Sequence, residues 1–211
     1  MSRFPETIAA VGIPLAWGNL MLPGLGLGVR GRTAANAGFA TAYAVAFHGV
    51  PNWRSAKGFR YGLVSASLVA AGYGVALSIP SVRKRMHEFD DRGPGVSTVE
   101  WVAVHIPIGT VYSEEMIFRA TLEPLLDNTF GSRAGSVLGA LTFGLWHIHP
   151  ARAAGDSVPV AIAATAAGGG AFGWLRRRTG SVTAPALLHL AINVGGALAP
   201  RVARLIGTAR T

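Results

Sequence analysis

Six stretches of the chain, 8–29, 61–80, 99–126, 133–150, 158–175 and 181–200, are apolar over nearly the length needed to cross a bilayer. A helix covers a ~30 Å hydrocarbon layer in roughly 20 residues. A seventh stretch, 34–50, is shorter and holds Asn36 and His48. Only 14% of the residues are charged, well below the roughly 25% of a soluble domain, and the average hydropathy is positive. The expected fold is therefore all-α. It is a polytopic membrane helical bundle of about seven transmembrane helices, within a range of six to eight, forming one integral membrane domain over residues 1–211.

The net charge of +9 raises the question of nucleic acid, but the distribution of the charge answers it. The basic groups fall between apolar blocks: Arg30 and Arg32; Arg54, Lys57 and Arg60; Arg83, Lys84 and Arg85; Arg176, Arg177 and Arg178; then Arg201, Arg204 and Arg210. Loops facing anionic headgroups have this pattern, so the expected partner is membrane lipid and not nucleic acid. Alternate loops carry similar Lys/Arg numbers, and the positive-inside rule gives no orientation. The chain has no cysteine, which excludes disulfides and thiolate-bound metal. The first apolar block, interrupted by Pro14 and Asn19, reads as a span and not as a cleavable signal. The 81–98 connection mixes a basic run with His87, Glu88, Asp90 and Asp91. The runs Gly168–Gly170 and Gly24–Gly28 read as close helix packing; the second lacks the strand and spacing of a phosphate loop.

Ionisable groups inside lipid-crossing helices cost several kcal/mol unless they are paired or face a cavity. Three such sets lie on separate blocks: Glu114, Glu115 and Arg119; His147, with His149; and His189 with Asn193. Glu115, Arg119 and Glu123 are four apart and form one stripe in which the cation is flanked by two acids. Glu114 lies about 100° round the helix and has no basic partner one turn away. It is the acid left over for chemistry, suited to act as a general base. Phe143 and His147 share one face; His189 and Asn193 share another, lined by small residues. His149 is expected to cap a helix near Pro150, and His105 to bond to another helix. The triple arginine at 176–178 is expected to anchor to headgroups, and the tryptophans to sit near span ends.

EExxxR (Glu114, Glu115, Arg119), FxxxH (Phe143, His147) and HxxxN (His189, Asn193), in that order on separate spans, resemble the CPBP family of intramembrane endopeptidases. That family includes the CAAX prenyl protease and bacterial Abi-type proteins. The resemblance covers residues 99–200, which it marks as the catalytic core. It implies hydrolysis of a peptide bond by an activated water, with Glu114 and His147 polarising that water. His189 and Asn193 would donate to the tetrahedral intermediate, worth about 3–4 kcal/mol if one donor is decisive. Arg119 would hold Glu115, and Phe143 would shape the pocket.

The favoured mechanism needs no cofactor. Zinc is the alternative, with Glu114, His147 and His189 as its three ligands, although the spacing is not HExxH. The expected substrate is a membrane-associated peptide or protein. The composition, rich in Ala, Gly and Arg, suits a bacterium, and the expected location is the cell membrane as a multi-pass protein. Two further readings stay open. One is a non-catalytic scaffold or immunity-type protein of the same fold. The other is an ion-coupled transporter using Glu114, His147 and Arg119 as a relay.

Overall fold

The computed structural model describes residues 4–87 and 95–208, and Glu88, Asp90 and Asp91 lie outside them. Among the described residues there is no strand. The helices are α1 (Phe4–Gly24), α2 (Val29–Ala46), α3 (Ala56–Ser78), α4 (Pro80–His87), α5 (98–130), α6 (Ser132–Trp146), α7 (Ile148–Ala154), α8 (Val158–Thr179) and α9 (Thr183–Thr208). Local chemistry sets their ends. Ser55 and Ser97 cap α3 and α5, their hydroxyls accepting from Gly58 N at 2.9 Å and Glu100 N at 3.1 Å. Gly180, at φ 68°, closes α8 in the left-handed conformation that a Cβ disfavours.

Each of the seven predicted blocks falls largely on helix, with corrected limits. Among the described residues, four helices are long and apolar enough to cross a membrane: Phe4–Gly24, Ala56–Ser78, Val158–Thr179 and Thr183–Gly207. The other three depart for visible reasons. The block at 34–50 belongs to an 18-residue helix that starts at Val29 and carries Arg30 and Arg32. The block at 99–126 lies in α5, which contains the charged cluster. The block at 133–150 is cut at His147, so α6 has only 15 residues and α7 is a separate short helix.

α5 is the central element, and every residue from Glu115 to Leu122 is buried. Much of it is wound wide, π-helical over Trp101–Tyr112 and Glu115–Leu122. Side chains follow the wider register: Ser113 Oγ donates to Ile108 O at 2.9 Å and Thr121 Oγ1 to Met116 O at 2.8 Å, each five residues back. Pro124 has no N–H to offer the carbonyls of Arg119 and Ala120. Those carbonyls accept from outside the helix, Arg119 O from Arg176 Nε at 3.1 Å and Ala120 O from Val50 N at 2.9 Å.

α9 lies along α3 and α8 along α6, with α2, α6 and α9 all against α5. Phe118, Phe143, Trp146, Phe172 and Val182 form the apolar core around the charged stretch. α6 approaches α5 through Gly135 and Gly139, where a Cβ at Gly139 would stand 2.9 Å from Glu123 Cγ. Outward faces are apolar, as on α3, where Leu68 is 69% exposed beside Val64 and Val75.

Candidate active site

Glu114 sits at the junction between the two wide segments of α5 and is 6% exposed. It faces the protein interior, away from lipid. Its Oε1 accepts from Trp146 Nε1 at 3.2 Å. Its Oε2 lies 3.7 Å from His189 Nε2, too far for a hydrogen bond, and has no hydrogen-bond partner among the described residues. The other nitrogen of that ring, Nδ1, is 2.9 Å from Glu115 Oε1. His189 is thus an imidazole held between two carboxylates, stacked on Phe172 with ring centroids 4.7 Å apart.

The stripe expected from helical phase is present. Arg119 Nε is 3.9 Å from Glu115 Oε2 and 3.5 Å from Glu123 Oε1, and Arg119 is fully buried. Its NH2 donates to Gly169 O at 3.3 Å, and its guanidinium lies over the rings of Phe143 at 4.3 Å and Phe172 at 5.1 Å. Aromatic faces attract a desolvated cation by up to about 2 kcal/mol each. Phe143 therefore holds Arg119 as well as lining the interior.

Beyond Glu123 the string of charges runs outward. Arg177 NH1 is 3.4 Å from Glu123 Oε2, and Arg177 meets Asp127 with both Nε and NH2 at 2.9 Å. The triple arginine is thus not a plain headgroup anchor. Arg176 and Arg177 turn inward to the freed carbonyl and the acids, and Arg178 lies near the Tyr61 ring at 5.8 Å.

His147 is held by its own helix. Its Nδ1 donates to Phe143 O at 2.7 Å, which leaves Nε2 with the lone pair in the neutral ring. The nitrogen that reaches Glu114 on this helix belongs to Trp146, one residue earlier. Asn193 Nδ2 donates back along its own helix to His189 O at 3.1 Å, leaving its second N–H and its Oδ1 for other partners.

A cavity of about 400 Å³ opens between α1, α2 and α5. Arg32, Thr33, Asn36, His105, Glu114 and Trp146 are in its wall; His147, His189 and Asn193 are not. His189 approaches the Glu114 carboxylate at Oε2 and does not line the cavity. His105 meets another helix as expected, with Nδ1 2.7 Å from Thr33 Oγ1, and its Nε2 is 3.1 Å from Glu100 Oε1. Sequence reasoning missed Trp146 as a site residue, and a lone tryptophan at a span end carries no signal of its partner.

Among the described residues no group of three or more His, Asp or Glu side chains is placed to hold a metal ion. Of the alternative zinc set Glu114, His147 and His189, the first and last face each other, and His147 bonds its own helix through Nδ1 and not through Nε2.

Residues 96–195, a little under half of the chain, match the family model described as type II CAAX prenyl endopeptidase, Rce1-like. That region belongs to the Rce1-like family. It holds Glu114, Glu115, Arg119, Phe143, His147, His189 and Asn193, and it nearly coincides with the 99–200 core that the motifs marked. Neither a curated protein nor a solved structure matches the chain. The Rce1-like match and the apolar helices give the general class, a CAAX-type endopeptidase of the membrane.

Proposed function

We propose that the chain is an intramembrane endopeptidase in which Glu114 is the general base for a hydrolytic water, without a metal. The observation that carries this reading is Glu114 Oε2. It is a buried carboxylate oxygen with no hydrogen-bond partner among the described residues, on a residue in the cavity wall and close to His189 Nε2. A free lone pair in a dry site is where a water can be held and deprotonated.

Glu115 fixes the His189 ring through Nδ1 and leaves Nε2 directed toward Glu114. The second N–H of Asn193, one turn along α9, supplies another donor. The water oxygen attacks the peptide carbonyl carbon as its proton passes to Glu114 or to His147 Nε2. The negative charge that develops on the carbonyl oxygen is met by the second N–H of Asn193 and by Nε2–H of His189 in its doubly protonated form, in which Nδ1–H stays on Glu115. As the C–N bond breaks, the captured proton goes to the leaving amine. Arg119, together with Arg177 on Glu123, offsets the charges of Glu115 and Glu123, so that Glu114 alone stays chemically available. The substrate is a membrane-associated peptide reaching Glu114 through the cavity, and the setting is a bacterial cell membrane.

The test is cleavage of internally quenched peptides by the full chain in proteoliposomes. Wild type is expected to cleave, and Glu114→Ala, His147→Ala and His189→Ala are each expected to lose about 10²–10⁴-fold while still inserting in the membrane. Undiminished cleavage by Glu114→Ala overturns the assignment.

A further inference from the structure

The helix break at His147 is bridged by a side chain from outside the Rce1-like region. In an unbroken α-helix the N–H of residue 149 would bond to the carbonyl of residue 145. Here α6 ends and α7 begins at His147, with φ −90° and ψ 8°, and Pro150 contributes no N–H of its own. The separated pair is joined through one amide. His149 N donates to Asn19 Oδ1 at 2.8 Å, and Asn19 Nδ2 donates to Leu145 O at 3.0 Å.

Asn19 is itself held. Its Nδ2 also donates to Leu15 O at 3.1 Å, and it lies in the wide π turn Trp17–Met21 of α1. The neighbouring Gly18 lets α1 close onto the same break, where a Cβ would stand 2.7 Å from Trp146 Cε3. One turn of α1 therefore clamps Trp146, which donates to Glu114, and brackets His147 from both sides.

We infer that Asn19 is a positioning residue for His147, replacing the lost backbone hydrogen bond and fixing the direction of the imidazole. The contact is read from the structure alone; its effect on cleavage rests on the hydrolase reading above. Removing the amide frees His149 N and Leu145 O, lets the break widen, and turns the ring away from its bond to Phe143 O.

Three measurements on the full chain in detergent test this. Backbone hydrogen exchange of the 147–151 segment is expected to rise at least tenfold in Asn19→Ala. Asn19→Asp, which retains the acceptor for His149 N, is expected to rise less. Nitrogen-15 histidine spectra are expected to show a shifted His147 with His105 and His189 unmoved. Peptide cleavage is expected to lose about 10- to 100-fold in kcat with KM within about twofold, as for misplaced supporting groups. Leu20→Ala, one position along and 71% exposed, is expected to leave all three readouts unchanged.

Unchanged exchange and an unmoved His147 signal in Asn19→Ala overturn the inference. So does a kcat loss accompanied by shifts of all the histidines, which marks general loosening. Altered exchange and His147 signals in a chain whose wild type cleaves no peptide uphold the positioning and overturn the hydrolase reading instead.

Discussion

Arg119 is the residue on which the charged core depends. It is fully buried, and its guanidinium is shared between Glu115, Glu123 and the rings of Phe143 and Phe172. Removing one member of a buried ion pair strands the others at about 3–5 kcal/mol. Arg119→Met is therefore expected to destabilise the protein by that amount in detergent unfolding; a loss under about 1 kcal/mol would contradict the picture. Arg119→Lys is expected to recover only part, because a point-charge ammonium cannot fill the planar slot between the rings. The 115–119–123 stripe was legible in the sequence because residues four apart share a face in both the α and the wider π register. The meeting of Trp146 with Glu114 was not. It joins positions 32 apart in sequence, and neither position announces the other.

At the scale of the element, α5 works because it is wound wide and has neighbours that take up what it releases. Its two prolines were visible in the sequence, but which groups would donate to the freed carbonyls depends on α8 and on the loop after α2. For the same reason Arg176 and Arg177, which by composition read as headgroup anchors, turn out to be internal partners. The α5–α6 contact is equally specific. Asp127 and Glu123 pack on Gly135 and Gly139, leaving no room for a side chain at either. Gly139→Val is expected to cost about 1–3 kcal/mol, the usual range for overpacking, and to displace Glu123 from Arg119. Thermal unfolding of the variant within 1 °C of wild type would refute that close approach. The break at His147 had a partial signal in Pro150, whereas its bridge by Asn19, 130 residues from His149, had none.

For the whole molecule, apolar surface and internal charge are arranged inside out relative to a soluble protein. Large apolar side chains such as Leu20, Val45 and Leu68 are exposed while Glu115, Arg119 and Glu123 are buried. The chain is expected to remain with membranes through an alkaline carbonate wash and to be released only by detergent; recovery in the wash would contradict it. Block lengths in the sequence were enough for the all-helical class and for which stretches become rods, though among the described residues only four helices are long and apolar enough to cross a membrane. They could not set the limits of those rods, since helix ends follow caps, prolines and charged residues more closely than hydropathy. The decisive measurement concerns Glu114, the buried acid that no Arg or Lys among the described residues neutralises. Glu114→Gln keeps the acceptor for Trp146 and nearly the same volume but cannot take a proton. Its kcat/KM on a quenched peptide in proteoliposomes is predicted to fall about 10²–10⁴-fold with unchanged unfolding temperature; cleavage at the wild-type rate would contradict the account.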